Sequence, residues 1–528
     1  MSWTKIAGVP AGYFSACAHS EHWRSLSVSG LWESQGQAIS ARRTAEKIQS
    51  ATVTCARMPH YTGVLSRSWL ILPLLLLYLL DLGGVGFLGP DEPRYASVGR
   101  EMARSHDLVT PRLNGEAWFE KPPLLYWMVA LGRMARLPDE WAARLPVALL
   151  SVAFLIFFYL TLLREFSART ALAASTILAT TVGWLAYSFT AVTDLPMSAT
   201  FWAAMLIGMF DTHRKQGYAA GALLGLAVLA KGLVPLVLFV PVFLIARGKR
   251  LTMLAGCIAV GVPWYLLCWM RNGPASLHEL IWRQHFERFF SPSIQHVQPW
   301  WYYAPVILAA IFPWTPLAGV LLRRRTYDDV RVRFLLVWLI YAFVFFSVGV
   351  NKLPGYMLPL LPALAIAVAV GLEKTGTAAK WWMAASAATL IAAPVLVRMV
   401  PDALLVGLRK APVVFTPGIP FVLTAVLVWW LAWREHPNLA MLAAGLAVLF
   451  ATAYVKAKTF PELDQRVSVR GFWRAHQNEA ANACVDSIRR EWDYGLNYYA
   501  GHRLPACEPG QVPEISQDHG RLVFRLSR

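Results

Sequence analysis

Apolar segments of about 20 residues recur along most of this chain and are separated by short polar turns. This is roughly the length with which a helix crosses the hydrocarbon core of a bilayer. Because a backbone in lipid must satisfy its own hydrogen bonds, each segment is predicted to be a helix. We expect about thirteen transmembrane helices, at residues 68–87, 145–163, 170–186, 194–211, 218–230, 233–246, 251–270, 302–322, 334–350, 355–371, 381–397, 414–433 and 437–455.

The composition supports this fold class. The 528 residues are 56% hydrophobic and only 15% charged, whereas soluble domains are about 25% charged. The fifth and sixth segments are short and are typical of broken helices. The sequence therefore predicts an all-α polytopic membrane protein.

The formal net charge of +18 resides mostly in the turns between apolar segments. There it sets topology and makes no basic face, so we expect no nucleic-acid partner. The basic turns follow the second, fourth, sixth and eighth segments, and the positive-inside rule makes that side cytoplasmic. The loops 89–144 and 271–301 and the C-terminus are then predicted to lie outside the cytoplasm.

Three regions are expected along the chain. Residues 1–57 are polar and lack the apolar core of a signal peptide, which indicates a disordered extension or an over-extended gene start. Residues 58–457 form the membrane domain. Residues 458–528 are predicted to form a small C-terminal α/β domain, with a strand over 467–470 and a helix around 484–490.

Smaller features outside the membrane are also predicted. Cys484 and Cys507 flank a polar segment near the C-terminus, and a disulfide between them is allowed there. In the first outer loop, residues 94–104 have the pattern of an amphipathic helix lying on the membrane. Residues 124–131 are apolar but too short to span, which favours an interfacial or re-entrant helix.

Carboxylates stand at the outer ends of two apolar segments. Asp91 and Glu92 follow the first segment, and Asp194 opens the fourth. A carboxylate at a bilayer edge is costly to desolvate without a partner or a function. The alternative interpretation is that Asp91 and Asp194 cap the helices that follow them.

Cations recur at the same face. Lys121 precedes two prolines that start the short apolar helix, and an ammonium beside a helix N-terminus is suited to phosphate. The alternative is a lysine that snorkels to the head groups. Lys231, Arg288 and Lys352 add further positive charge, and each of them alone is also compatible with an ordinary interfacial anchor.

Five motifs in this order resemble the bacterial aminoarabinose transferases that modify lipid A. They are Asp91-Glu92-Pro93-Arg94-Tyr95-Ala96, Thr110-Pro111-Arg112-Leu113-Asn114-Gly115, Phe119-Glu120-Lys121-Pro122-Pro123, Ala143-Arg144-Leu145-Pro146 and Lys352-Leu353-Pro354-Gly355-Tyr356-Met357-Leu358-Pro359. That family is similar to the protein O-mannosyltransferases, within the GT-C class of membrane glycosyltransferases. The similarity extends from about Met58 to the C-terminus.

The resemblance implies roles for individual residues. Asp91 corresponds to the principal catalytic carboxylate, with Asp194 as a second functional carboxylate and Glu92 in support. Lys121 corresponds to a contact of the carrier phosphate. Arg288, Tyr356 and Lys352 are the further candidates for donor-phosphate binding.

The resemblance also implies a GT-C fold and a reaction. A sugar would pass from a polyprenyl-phosphate carrier to lipid A or another envelope acceptor, at the periplasmic face of a bacterial inner membrane, in contact with membrane lipids. Because the phosphate is already a good leaving group, a single inverting displacement needs no protein nucleophile. No cofactor is expected. Carboxylate oxygens are suitable ligands for a divalent ion, but the sequence has no compact metal-ligand motif. We therefore favour a reaction without a metal ion.

Three other functions remain open from the sequence. A protein O-mannosyltransferase-like enzyme would use the same carrier chemistry with a protein hydroxyl as acceptor. A polyprenyl-lipid flippase or transporter would place charges near the midplane and often show internal repeats, which we do not find. A non-catalytic subunit of envelope assembly would tolerate the loss of Asp91.

Overall fold

The computed structural model describes residues 71–525 except 212, 293–295, 409, 416, 417, 481, 482, 509, 510 and 519. The prediction for residues 1–57 lies outside the described residues. Most of the described chain is α-helical. The α-helices are α1 Ile71–Leu79, α2 Asp91–Ser105, α3 Leu124–Met134, α4 Asp139–Glu165, α5 Ala168–Thr180, α6 Val182–Ser188, α7 Asp194–Phe210, α8 Gln216–Lys231, α9 Val234–Ile245, α10 Arg250–Asn272, α11 Pro274–Leu277, α12 Arg288–Phe290, α13 Tyr303–Ala310, α14 Val330–Val348, α15 Leu361–Thr375, α16 Ala379–Leu390, α17 Ala393–Val406, α18 Ile419–Trp433, α19 Pro437–Tyr454, α20 Phe460–Arg466, α21 Arg470–Ala480 and α22 Arg490–Ala500.

Shorter elements connect these helices. Turns of 3₁₀-helix cover Arg247–Lys249, Trp300–Tyr302, Thr315–Leu322, Arg324–Asp328, Pro354–Leu360 and Gly376–Ala378, and π-helix covers His278–Glu287 and Val455–Thr459. The strands are β1 Arg112–Leu113, β2 Glu116–Ala117, β3 Cys484–Val485, β4 Glu514–Asp518 and β5 Arg521–Arg525. β1 pairs antiparallel with β2; β4 pairs parallel with β3 and antiparallel with β5.

Most of the described part of the predicted apolar segments is helical, although residues 80–87 and 311–314 are not. Within residues 71–525, as far as the structure describes them, five helices are long and apolar enough to cross a bilayer by length and composition, or up to eight if each of three bent pairs is one span. α8 and α9 are separated by a break at Gly232, as the short fifth and sixth segments predicted. α10 and α18 expose large apolar side chains, among them Leu251, Met270 and Leu423, which is the surface expected toward lipid.

Tight packing holds the centre of the bundle together. In the segment Pro354–Lys374, 94% of the most apolar stretch of 18 residues is buried inside the protein. α8 packs on α10 through glycines: a Cβ on Gly221 would lie 2.1 Å from the Met253 carbonyl oxygen. Small residues allow this close approach of helix backbones, which is a main source of helix association in lipid.

The C-terminal region differs in detail from the prediction. Residues 467–469 form no strand, and the chain turns there between α20 and α21. Residues 484–485 form β3, and the following helix begins only at Arg490. Both predictions were wrong because the structure of these short segments depends on their surroundings: residues 484–485 pair with β4, whereas the N–H groups of Val467 and Ser468 donate to the Leu463 carbonyl oxygen and end α20. The allowed disulfide, Cys484–Cys507, is present.

The segment predicted as the first outer loop, residues 89–144, is largely helical and contacts α22 of the C-terminal region. Residues 94–104 are helical, as predicted, but Arg94 and Arg100 are buried and do not lie on the membrane surface. α22 covers them: Arg100 donates to the Tyr498 carbonyl oxygen at 2.6 Å, and its guanidinium lies 4.1 Å from the Tyr498 ring centre. The polar face of α2 is therefore a protein contact.

Candidate functional site

Two carboxylates lie at the first residues of two helices, Asp91 in α2 and Asp194 in α7. Neither side chain caps its helix. The Asp91 carboxylate forms an ion pair with Arg94, and the Asp194 carboxylate forms one with Lys231. The capping interpretation therefore does not describe either residue, and each carboxylate is matched to a cation.

Glu92 has different surroundings from Asp91. Its carboxylate is fully buried and accepts two hydrogen bonds from Arg144, at 2.7 and 2.8 Å. The backbone N–H groups of Leu88 and Ala191 donate to it at 2.9 Å each. With its oxygens taken by protein donors, Glu92 fastens the start of α2 to α4 and to the segment before α7.

A chain of charges leads from Asp91 toward Lys121. Arg94 lies between Asp91 and Glu120, with 3.2 Å from its Nη1 to the Glu120 Oε2. Burial raises the pKa of Glu120, but the neighbouring charges of Lys121 and Arg94 outweigh burial, so its pKa is lowered overall. Glu120 thus stays ionised between two cations.

Lys121 lies where the backbone enters α3. Its ammonium is 3.5 Å from a Glu120 oxygen and 3.5 Å from the Gln284 side-chain oxygen. Burial lowers the pKa of Lys121 to about 8, against the raising effect of Glu120 and with a further lowering by Arg288 and Lys231. Arg288 donates to the same Gln284 oxygen at 3.4 Å. The amide thus holds two cations on one side of a cavity.

Lys231 is presented by the break between α8 and α9. Gly232 has a φ of +76°, and a Cβ on it would lie 2.3 Å from the His285 ring. The His285 Nε2 accepts the Leu233 N–H at 2.9 Å, and its Nδ1 lies 3.0 Å from the Leu280 carbonyl oxygen. This requires a neutral imidazole with the proton on Nδ1, and burial lowers the pKa of His285 to about 4.

The motif around Gly355 completes this side. A Cβ on Gly355 would lie 2.3 Å from the Asp194 Oδ1, so only glycine allows the carboxylate to sit there. The Lys231 ammonium lies 4.6 Å from the Tyr356 ring centre, a cation–π contact. The Lys352 ammonium, by contrast, is buried and donates to the carbonyl oxygens of Gln298 (3.0 Å) and Gly349 (2.5 Å).

A cavity of about 270 Å³ joins these groups. One part of its wall is polar and carries Glu120, Lys121, Lys231, Gln284, His285, Arg288, Asn351 and Tyr356. The rest is apolar and aromatic, formed by Val234, Val237, Phe286, Phe289, Phe290, Phe345 and Phe346, among others. We call it the donor cavity. Its chemistry suits an amphiphile with an anionic head.

The predicted residues are thus divided by the structure. Lys121, Arg288 and Tyr356 line the donor cavity, and Asp194 reaches it through Lys231. Asp91 is connected to it through Arg94 and Glu120. Glu92 and Lys352 are engaged elsewhere, each with several protein partners.

Three groups of the site were not predicted as site residues: Arg94, Glu120 and Gln284. Arg94 and Glu120 belong to motifs that carried the resemblance, so their presence there was the available signal. Gln284 gave none, because its role arises from the π-helix His278–Glu287, which brings it to Lys121. Among the described residues, no group of three or more His, Cys, Asp or Glu side chains is arranged to hold a metal ion.

Comparison with known proteins adds independent information. Residues 120–269 match the model of the dolichyl-phosphate-mannose-protein mannosyltransferase family. The undecaprenyl phosphate-α-4-amino-4-deoxy-L-arabinose arabinosyl transferase of Serratia proteamaculans is 32% identical over 334 residues, covering 58% of this chain and 60% of the relative. The transferase of that name from Pseudomonas savastanoi pv. phaseolicola is 33% identical and is covered to 60%. The chain thus spans about three fifths of the length of these relatives.

The fold matches solved structures over a larger part of the chain. The crystal structure of ArnT from Cupriavidus metallidurans bound to undecaprenyl phosphate has a TM-score of 0.67 and 25% identity, and the match covers 84% of this chain and 86% of that chain. The apo structure of that ArnT gives 0.65 and covers 83% and 85%. These matches confirm the resemblance to aminoarabinose transferases that the sequence motifs indicated. They also confirm the predicted helical fold of this class, without fixing the number of transmembrane helices.

Proposed function

We propose that this chain is a glycosyltransferase that moves an aminoarabinose-type sugar from undecaprenyl phosphate to lipid A or another lipopolysaccharide acceptor. The observation that carries the proposal is the donor cavity, in which Lys121, Arg288 and Lys231 face an aromatic wall, with Glu120 in the lining and Asp194 paired with Lys231. The similarity to arabinosyl transferases and to ArnT bound to undecaprenyl phosphate supports the same reaction.

The donor is held by complementary chemistry. The carrier phosphate binds Lys121 and Arg288, whose charges Gln284 brings together, and the Tyr356 hydroxyl is positioned to donate a hydrogen bond. The isoprenoid chain lies against Phe289, Phe345 and the other apolar residues of the wall. Charged donors to a phosphate make stronger hydrogen bonds than neutral donors, so the cations supply most of the head-group affinity.

The chemical step is a direct displacement at the anomeric carbon. Negative charge grows on the phosphate as the carbon–oxygen bond breaks, and the fixed cations of the cavity stabilise it. Asp91 accepts a proton from the acceptor hydroxyl or orients the sugar; if the acceptor is itself a phosphate, it only positions substrate. Asp194 holds Lys231, and Glu92 positions α2. The reaction requires neither cofactor nor metal.

The topology we propose has thirteen spans, with the donor cavity at the periplasmic face. The basic turns after the even-numbered segments support a cytoplasmic location for the opposite side. Residues 458–528 then form a small periplasmic domain on the membrane domain 58–457. The Cys484–Cys507 disulfide supports this sidedness, since disulfides persist in oxidising compartments.

A protein O-mannosyltransferase-like activity is the second candidate. The match of residues 120–269 to the mannosyltransferase family model favours it. The matched segment includes three residues that line the donor cavity, Glu120, Lys121 and Lys231. The two candidates share donor-phosphate chemistry and differ in sugar and acceptor. A direct test of acceptors therefore separates them.

The experiment uses the purified full chain in lipid nanodiscs with radiolabelled undecaprenyl-phosphate sugars. Wild type is compared with Asp91→Asn, Lys121→Ala and the exposed basic control Arg324→Ala. Label on lipid A with wild type and the control, but with neither site variant, supports the proposal. Label on protein alone favours the mannosyltransferase-like activity. No transfer, with movement of the carrier lipid across the bilayer, would overturn the transferase and favour a flippase.

A further inference from the structure

A second cavity, also of about 270 Å³, lies at the far end of the helical segment Pro354–Lys374, whose other end carries Tyr356 of the donor cavity. It is enclosed by the first turn of α5, the end of α15, α16, the end of α18 and the start of α19. Tyr356 and Glu373 stand 17 residues apart on the continuous helical segment Pro354–Lys374. At a rise of 1.5 Å per residue, the two cavities are roughly 25 Å apart.

The second cavity has an apolar floor and a charged rim. Leu172, Ala369, Leu372, Met383 and Met441 are among the residues of the floor. The rim carries two cations, Arg169 and Lys380, and two carboxylates, Glu373 and Glu435. A phospholipid presents the same division to a membrane protein, with charge above and hydrocarbon below.

The rim charges do not neutralise one another. Glu373 accepts hydrogen bonds from the Ser167 hydroxyl at 2.8 Å and from the Thr170 hydroxyl. The Lys380 ammonium lies 4.1 Å from the Trp433 ring centre. Among the ion pairs of the described residues, none joins Arg169 or Lys380 to a carboxylate of the rim. Two positive and two negative groups therefore line one cavity without an ion pair between them, and the exposed carboxylates of Glu373 and Glu435 are accessible to a ligand.

Aromatic side chains beside the rim indicate its depth in the membrane. The Trp433 ring lies 5.4 Å from that of Trp381 and 5.8 Å from that of Trp429. These three indoles are 45%, 59% and 44% exposed, respectively. Exposed tryptophans collect at the level of the lipid head groups. The rim is thus at the height where phosphates and ammonium groups of lipids lie.

We propose that the second cavity binds a zwitterionic phospholipid with a primary ammonium, of the phosphatidylethanolamine type. The phosphate accepts charge-assisted hydrogen bonds from Arg169 and Lys380. The ammonium donates to Glu373 and Glu435, and the upper part of one acyl chain covers the floor around Met383 and Met441. An anionic lipid would leave both carboxylates without a cation and would be repelled by them.

The test is native mass spectrometry of the full chain, titrated with phosphatidylethanolamine, phosphatidylglycerol or undecaprenyl phosphate in detergent. We expect wild type to retain phosphatidylethanolamine several-fold better than phosphatidylglycerol. The double variant Arg169→Ala, Lys380→Ala should weaken that binding about tenfold, whereas Arg324→Ala, an exposed basic change outside the cavity, should not. Glu373→Gln with Glu435→Gln should remove the preference between the two lipids.

Lipid retention by a variant with a filled cavity floor and the melting temperature of each variant complete the test. Met441→Trp fills the floor without changing charge and should also reduce retention, and the melting temperature of each variant reports whether it is folded. Equal retention by wild type, the double variant and Met441→Trp would overturn the proposal. A preference for phosphatidylglycerol, or for undecaprenyl phosphate, would overturn the assignment of a zwitterion.

Discussion

Asp91 and Glu92 are adjacent in the chain, yet their carboxylates have opposite environments. Glu92 is fully buried and is satisfied by a guanidinium and two backbone N–H groups. The Asp91 side chain is 42% exposed and, of the residues that the structure describes, is paired with Arg94 alone. The difference arises because consecutive residues in the first turn of a helix point in directions about 100° apart. Glu92 therefore faces α4, and Asp91 faces the open side of the loop.

Within one motif, Glu92 is suited to a structural role and Asp91 to a chemical role. A fully buried carboxylate whose oxygens accept four hydrogen bonds from protein donors, as in Glu92, stabilises structure and is closed to substrate. A carboxylate with free oxygens beside a cavity can accept a proton or orient a sugar. The pair also explains why both residues belong to the motif that carried the resemblance, although only one is suited to contact substrate.

The largest expected effect comes from removing the buried carboxylate, Glu92. Glu92→Ala leaves the Arg144 guanidinium buried without its counter-charge, and we expect it to lower the free energy of unfolding by about 3–5 kcal/mol. Thermal unfolding in detergent, monitored by circular dichroism, measures this. The exposed control Glu116→Ala should change stability by less than about 0.5 kcal/mol. An unchanged melting temperature for Glu92→Ala would refute the fastening role.

Substitution of the exposed carboxylate, Asp91→Asn, should lower kcat and leave stability largely unchanged. Arg94 keeps Glu120 as a partner, so the fold should be retained, while kcat falls about 10³-fold because the base or orienting group is lost. Initial rates of sugar transfer give kcat. The matched variant Glu92→Gln removes the same charge one residue away and should lower the melting temperature instead. If both variants lost stability equally, the two carboxylates would share one role.

A third substitution tests Asp194 without changing it. Gly355→Ala would place a methyl group 2.3 Å from the Asp194 Oδ1 and displace the carboxylate from Lys231. We expect transfer to fall about 10²-fold, because small displacements of positioned groups cost that much. Gly445→Ala, where the nearest atom lies 3.2 Å away, is the control. Wild-type activity in Gly355→Ala would exclude a close fit between this motif and Asp194.

The smallest effect concerns pH. The pKa of Lys121 is lowered to about 8, so its positive charge is present below pH 8 and is lost as the pH rises through that value. The dissociation constant of the donor should increase about tenfold between pH 7 and pH 9, in proportion to the lost ammonium. Lys121→Arg, which stays charged, should bind with little change over this range. A pH-independent dissociation constant in wild type would remove Lys121 from the phosphate contacts.

Much of the fold was predictable because the bilayer imposes strong length and polarity constraints. The segment Asp139–Glu165 and the break at Gly232 both follow from apolar length and spacing. The C-terminal region was less predictable. β3 is only two residues long and exists through its pairing with β4, about thirty residues later. Local pattern does not encode such a contact.

The site shows a similar division. Lys121 and Arg288 were predicted from motifs, and the structure brings them to one cavity. Their common partner Gln284 and the diversion of Lys352 to the carbonyl oxygens of Gln298 and Gly349 depend on tertiary structure. Sequence reasoning therefore found the charged residues, while the assignment of each charge to a ligand or to the protein required the packed chain.

The neutral imidazole at the helix break has a consequence in acid. Because His285 must accept the Leu233 N–H, a proton on Nε2 would release the backbone that presents Lys231. Its pKa is lowered to about 4, so the folded chain binds this proton less readily than the unfolded chain. The contribution of this contact to stability is complete above about pH 6.5 and declines as the medium is acidified toward pH 4. Only near pH 4, as His285 takes up this proton, would the folded chain lose the placement of Lys231, and neutralisation would restore it.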